Sequence, residues 1–185
     1  VVKIDGISCN IYCGTVRKFT WTPTVSCCTY PSTQASSFGS NTITSASANI
    51  TFDRGNGTGG VMVLAKQGSA VSSNPTNGST YTANSTFGSG SLIGVGNYVV
   101  YNSNVPASGT VTVPVSGLSP STTYHFAVYE YNSAGNCYLI PALTGNITTS
   151  APTFTWTGAV DNDWNTAGNW STASVPNACS NNVII

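Results

Sequence analysis

Charge is what this sequence has least of. Its 185 residues include 5 Lys or Arg and 5 Asp or Glu, 5% of the chain, and the formal net charge is zero. A nucleic-acid binder needs a basic patch or stripe. The only basic cluster here is Arg17-Lys18, which reads as a solvated strand end. Histidine is nearly absent too: His125 is the only one. Serine triads and histidine-based metal sites therefore lack their parts. No serine sits in a G-x-S-x-G elbow, and Gly57 to Gly60 lacks the lysine of a phosphate loop. Glycosidase chemistry needs two carboxylates across a cleft. Of the five acids only Asp161 and Asp163 are close in sequence, and Glu130 is the only glutamate. We therefore expect no catalytic residues and no cofactor. No apolar run approaches the ~18 residues of a membrane span.

Ser, Thr, Asn and Gly fill the polar positions instead, so hydroxyls and amides wet the surface. Hydrophobic residues make up 40% and aromatics 10%, enough to build cores despite the low complexity. Six cysteines occur, Cys9, Cys13, Cys27, Cys28, Cys137 and Cys179. An even number in a Thr- and Asn-rich β sequence favours disulfides and an oxidising, extracellular setting. A zinc site is disfavoured, because adjacent Cys27-Cys28 chelates one ion poorly. Sequence leaves the connectivity open. The expectation is that Cys9 and Cys13 pair with Cys27 and Cys28 in some order. Cys137 and Cys179 then staple the centre of the chain to its C-terminal segment.

The most informative stretch is Gly117 to Asn132, GLSPSTTYHFAVYEYN. A turn signal, Leu118-Ser119-Pro120, leads into a strand rich in Tyr, Phe and Val. Alternation puts Tyr124, Phe126 and Val128 on one face and His125, Ala127 and Tyr129 on the other. Glu130 follows the inward set, and at a core rim it pairs with Arg54 or Lys66, since a lone buried carboxylate is costly. The spacing Leu118, Pro120, Tyr124 resembles the fibronectin type III signature, in which leucine packs under the loop, proline fixes the turn and tyrosine anchors the next strand. The resemblance covers roughly residues 31 to 149. It implies an all-β, fibronectin type III-like (Ig-like) β-sandwich flanked by partial β modules. It implies no activity, because this fold carries many functions.

We divide the chain into 1–30, the end of a preceding β module or a disulfide-stapled lead-in; 31–150, the sandwich; and 151–185, the start of a Trp-rich β module. Val16 to Trp21 reads as a strand in the lead-in. Pro31 to Phe38 fits a first edge strand, and Asn41 to Phe52 alternates, with Ala46, Ala48, Ile50 and Phe52 inward. Phe52 takes the place where many type III domains have tryptophan. Gly55 to Gly60 reads as a hairpin loop and Val61 to Lys66 as a central strand. Gln67 to Gly96 is long for a connection and reads as a decorated crossover over one sheet, with Thr80 to Thr82 as a possible short strand. Asn97 to Tyr101, Thr110 to Val115 and Tyr138 to Thr149 complete the strands, the last interrupted at Pro141 and so placed at an edge. If the chain binds sugar, Tyr81, Tyr98, Tyr101 or Tyr129 is the stacking platform.

The C-terminal segment reads Trp156-Thr157-Gly158, Asp163-Trp164-Asn165, Gly168-Asn169-Trp170-Ser171, Val175-Pro176 and Val183-Ile184-Ile185. Its tryptophans are expected to stack as ledges. Asp161 to Asn165 starts like a calcium loop but has Thr166 where glycine is needed and Thr172 where glutamate is needed. Asx turns are favoured over a looser calcium site at Asp161 and Asp163. Asn49, Asn56, Asn77, Asn84, Asn146 and Asn169 begin N-x-[ST] sequons, which mark glycans only in a eukaryotic secreted protein. The tryptophan pattern resembles a segment repeated in large secreted surface proteins of gliding, type IX-secreting Bacteroidota, whose type III-like modules the central strand also resembles. That resemblance implies export, cell-surface attachment, and partners such as neighbouring modules of one long chain, polysaccharide, other cells, further copies in a fibre, or secretion machinery. A spacer and adhesive segment is the leading expectation; an accessory or carbohydrate-binding module of a secreted hydrolase is the alternative. The strand-like ends, Val1 to Ile4 and Val183 to Ile185, lead us to expect an excerpt of a longer polypeptide.

Overall fold

The computed structural model describes residues 2–4 and 7–9 as backbone, and residues 28–105, 108–177 and 182–185 in full. Strands β1 (Val2–Ile4) and β2 (Ile7–Cys9) form an antiparallel pair. Seven strands then build two facing sheets. The first has the order β3 (Ser36–Asn41), β4 (Ser47–Asp53), β7 (Thr110–Ser116). The second has the order β10 (Leu143–Thr148), β8 (Thr123–Asn132), β5 (Gly60–Gln67), β6 (Tyr98–Ser103). A short β9 (Cys137–Tyr138) also pairs with β8. All pairs within these sheets are antiparallel. In chain order β3 and β4 lie in the first sheet, β5 and β6 in the second, β7 in the first, and β8 and β10 in the second, so the chain crosses between the sheets three times, as in an Ig-like sandwich.

The register follows from side-chain alternation. On the first sheet Ala48, Ile50 and Phe52 lie opposite Val115, Val113 and Val111. On the second, Val63 and Ala65 lie opposite Val128 and Phe126. These inward faces interlock as one core, closed at one end by Tyr124 and Leu118. Burying a side chain such as Phe52 is worth about 1.5–3 kcal/mol. Ala46, expected inward, is exposed because β4 begins only at Ser47. Gly145 of β10 is required by packing: a Cβ there would lie 2.0 Å from the Phe38 ring. Phe38 in turn sits 6.0 Å from Phe126.

Met62, Leu64, Val99, Ala127, Tyr129 and Tyr138 form a second cluster on the outer face of the larger sheet. The crossover between β5 and β6 covers it with Val71, Tyr81, Ala83 and Ile93. So β5 is buried on both faces, which is why its sequence is continuously apolar. Buried Asn97 fastens the crossover, donating to the Ile93 carbonyl at 2.7 Å and accepting from the Ser72 amide at 3.1 Å.

Some expected elements differ. Residues 31–35 are not strand: Gln34 turns inward, accepts from the Glu130 amide at 2.9 Å and donates to the carbonyls of Leu139 and Pro141 at 2.9 and 3.0 Å. Gly55 to Gly60 is not a hairpin loop, because β4 and β5 belong to different sheets. Thr80 to Thr82 forms no strand. The stretch expected from Tyr138 to Thr149 splits into β9 and β10 around a cis Ile140–Pro141 bond, with β10 at the sheet edge. The Val16 to Trp21 strand lies outside the described residues.

Beyond the sandwich, β11 (Thr153–Thr155) pairs in parallel with β12 (Asn182–Ile184). Between them lies a 3-10 turn, Ala167–Asn169, and Trp156 bridges Trp170.

Candidate functional site

The corner between β7 and β8 is built as the sequence suggests. The Ser119 amide donates to the Tyr124 hydroxyl at 2.8 Å. Leu118 is buried beneath it, while Pro120 stays exposed at the turn. Thr149 fastens the same turn, donating to the Ser119 carbonyl at 2.6 Å and accepting from the Thr122 amide at 2.9 Å. Phe87 of the crossover meets Tyr124 edge-on at 5.0 Å.

Glu130 is not at a rim. It is 0% exposed and held at both oxygens by Arg54, with Nε donating to Oε1 at 2.7 Å and Nη2 to Oε2 at 2.8 Å. The amides of Gly55 and Gly57 add bonds of 2.8 and 3.0 Å. Arg54 also donates to the carbonyls of Gly57 and Val105. A Cβ on Gly57 would lie 2.7 Å from Oε2, so the loop needs glycine to bring its amide there. The glycine-rich connection between the sheets is therefore a carboxylate cradle. Lys66, the other expected partner, donates instead to the Ser72 hydroxyl at 2.8 Å.

The cysteine expectation is corrected. Cys28 is bonded to Cys137, with Cα atoms 5.5 Å apart. Thus Cys28 does not pair with Cys9 or Cys13, and Cys137 does not pair with Cys179. The separation of 109 residues gave no hint of it, but the fold brings residues 28–30 beside the turn after β8. There the Asn132 side chain donates to the Thr29 carbonyl at 3.0 Å and Asn77 to the Tyr30 hydroxyl at 2.7 Å. Cys13, Cys27, Cys179 and the side chain of Cys9 lie outside the described residues.

The four candidate platform tyrosines do not form one surface. Tyr129 is buried, with its hydroxyl donating to Asn74 at 2.9 Å, and burial pushes its pKa up to about 12. Tyr81 packs 6.0 Å from Tyr138 in the outer cluster, and Tyr138 lies 5.1 Å from Tyr131. Burial raises the pKa of Tyr131 and of Tyr138 as well. Tyr98 meets Phe87 edge-on at 5.2 Å, and Tyr101 packs against the main core. They are spread because β6, β8 and the crossover each use them as packing.

The tryptophans do come together. Trp156 stacks on Trp164 at 5.3 Å, and Trp170 meets them edge-on at 5.1 and 4.5 Å. Trp170 is buried and Trp164 is 42% exposed. Asp161 and Asp163 make Asx turns beside them. Asp161 Oδ1 accepts from the Asp163 amide at 2.8 Å and from Asn169 at 2.7 Å, and Oδ2 accepts from Thr166 at 3.0 Å. The Asp163 amide, followed by Asn169 and Thr166, holds the Asp161 carboxyl below its ordinary 3.8. Asp163 accepts from the Asn165 amide at 2.9 Å. Calcium wants six to eight oxygens. Here the Asp161 oxygens already serve the chain's own N–H and O–H groups, and the set does not fit the ion.

Sequence reasoning noted Asn169 only within a motif and a sequon. It is 0% exposed, accepts from the amides of Val160 and Asp161, and donates to Asp161 and the Asp163 carbonyl. It is the hub of the C-terminal unit and cannot carry a glycan.

His125 faces outward from the larger sheet, directly between Lys66 of β5 and Asn146 of β10. A shallow pocket of about 260 Å³ opens there, lined by Ala70, Val71, His125, Phe126, Thr144, Gly145 and Asn146. Alternation placed His125 on this face; nothing in the sequence linked it to Asn146 or to the crossover.

No protein-family model and no curated protein matches the chain. Among solved structures, it is similar to the fibronectin type III domain of human fibronectin type III domain containing protein 3, at 19% identity over 67% of this chain and 90% of that one, with a TM-score of 0.42. It is also similar to the sensor domain of the anti-sigma factor RsgI4 in Pseudobacteroides cellulosolvens, at 15% identity over 65% of this chain and 96% of that one, with a TM-score of 0.37. The fibronectin type III-like sandwich itself stands on strand order, register and the tyrosine corner.

Proposed function

We propose that this chain is a non-catalytic spacer and contact segment of a long extracellular surface protein, with 1–30, 31–150 and 151–185 as its modules. One observation carries the reading: the Cys28–Cys137 bond closes a loop of 109 residues around nearly all of the sandwich. Tension entering from the N-terminal side crosses to Cys137 through that bond and leaves through β10. The strands inside the loop lie off the covalent path. A segment that must hold its length under pull gains from this, and a disulfide needs an oxidising compartment to persist. The outer face of the first sheet suits non-covalent contact, since most of its cross-strand pairs are uncharged, Asn41 with Asn49, Thr51 with Thr112 and Asn49 with Pro114, with the charge of Asp53 at one end beside Thr110. The tryptophan motif adds the resemblance to repeated segments of Bacteroidota surface proteins.

The test uses intact cells of the source organism and an antibody to this chain. The expected result is an antigen removed by external protease and carried on a polypeptide far larger than 19.0 kDa. An antigen protected until lysis would overturn the proposal.

A further inference from the structure

We propose that the pocket at His125 binds the carboxylate of a uronate sugar, so that the segment's contact partner is an acidic polysaccharide. The inference rests on the reading of the chain as an extracellular contact module and names that module's ligand. It begins with register. Asn146, His125 and Lys66 are direct cross-strand neighbours on β10, β8 and β5, forming one row across the outer face. Directly opposed residues in antiparallel strands have Cβ atoms about 4.5–5.5 Å apart. The row therefore sets an amide and an imidazole in the pocket lining, with Lys66 next to His125 in the row and its ammonium turned to the Ser72 hydroxyl of the crossover.

The charges around the row favour an anion. Among the described residues the acids are Asp53, Glu130, Asp161 and Asp163. Asp53 belongs to the other sheet and accepts from Thr110 at 2.6 Å. Glu130 is taken by Arg54, and Asp161 and Asp163 serve the C-terminal turns. Lys66 makes its bond to a neutral hydroxyl, Ser72, so its positive charge is not cancelled. Among the described residues the outer cluster on this side of the sheet also holds tyrosines 81, 129, 131 and 138, of which 129, 131 and 138 are held protonated by burial. On a chain with almost no charge, an uncompensated ammonium beside an imidazole stands out.

The walls favour a sugar. Thr144 and Asn146 offer a hydroxyl and an amide on one side, and Ala70 and Val71 offer an apolar edge on the other. Such mixed lining suits a ring with hydroxyls on its rim and C–H groups on its face. The volume of about 260 Å³ suits one sugar residue of a longer chain lying across the sheet. The larger aromatic ledge at Trp156 and Trp164 is not used, because Asp161 and Asp163 beside it would repel the carboxylate.

The test is a heteronuclear NMR titration of the whole chain with trigalacturonate, with maltotriose and acetate as separate controls. Trigalacturonate is expected to shift His125, Thr144 and Asn146, with an affinity at least about tenfold weaker in Lys66→Gln, whose surface change spares the core. Maltotriose and acetate at equal concentration are expected to leave these signals in place. Three results would overturn the inference: no shifts with trigalacturonate, equal shifts with maltotriose or acetate, or unchanged affinity in Lys66→Gln. None of these bears on whether the chain sits on the cell surface, which the protease experiment decides separately.

Discussion

The sandwich and the C-terminal unit both put a carboxylate to structural use, and they do so differently. In the sandwich Glu130 is fully buried, neutralised by Arg54 and wrapped by the amides of a glycine-rich connection. It locks two sheets that already share a large apolar core. In the C-terminal unit Asp161 is exposed and serves as an acceptor for a local knot around Asn169, beside three tryptophans that pack mostly on one another. The first arrangement is long-range and covalently stapled. The second is assembled almost wholly from neighbours in sequence. A unit with little core to bury depends on local hydrogen bonds, whereas a sandwich can bury charge because its core offsets the desolvation.

The sharpest way to break this contrast is Glu130→Ala. Removing one partner of a buried ion pair leaves an uncompensated charge and costs about 3–5 kcal/mol. The loss is expected in denaturant unfolding followed by tyrosine signal. Trp156, Trp164 and Trp170 report only on the C-terminal unit once Trp21 is changed to Phe. Their fluorescence in native buffer is expected to stay unchanged in Glu130→Ala; a joint collapse would show that the two regions are not held independently.

Tyr124→Phe has a smaller expected effect. It deletes the hydroxyl that accepts from Ser119 but keeps the ring against Phe87. A net loss of about 0.5–1.5 kcal/mol is expected for one such bond. A midpoint shift confined to the tyrosine-detected transition would fit; no shift would mean that the corner bond is energetically idle.

The two regions should also differ at the alkaline end of the pH scale. The Asp161 carboxyl has a folded pKa below 3.8, so the stability it gives is present above that value and lost as pH falls through the lower folded one. Tyr129 has its pKa raised from 10.0 to about 12, so its contribution is whole below 10.0 and is lost as pH rises towards 12. Tyr138 is shifted the same way. In the sandwich the Thr110 and Ser37 hydroxyls hold the Asp53 carboxyl below 3.8 as well, so acid is expected to weaken both regions. Alkali is expected to disturb the sandwich first; tryptophan fluorescence lost before the sandwich in an alkaline series of thermal melts would contradict the assignment.

Much of the sandwich was legible because its signals are periodic. Ala48, Ile50 and Phe52 alternate, Val61 to Ala65 runs apolar because both faces are covered, and Leu118 with Tyr124 marks a corner by local spacing. What escaped depends on contacts between distant residues. Gln34 looks like a polar surface residue until β8 lies beside it. Gly55 to Gly60 looks like any hairpin turn unless its flanking strands are known to lie in different sheets. Cys28 and Cys137 carry no mark of their pairing. The pocket at His125 was only half legible: alternation gives its face, but Asn146 and Ala70 reach it through pairing and crossover. The turn-making role of Asp161 and Asp163 was readable because an Asx turn spans only two residues.

The central claim is mechanical, and pulling on single molecules by their two ends tests it most directly. With the Cys28–Cys137 bond intact, the closed loop of 109 residues should stay out of the extension. With reductant, or in Cys28→Ser/Cys137→Ser, unfolding should release that loop as roughly 360–390 Å of extra contour length, at ~3.3–3.6 Å per residue. Equal extension with and without the bond would contradict the account.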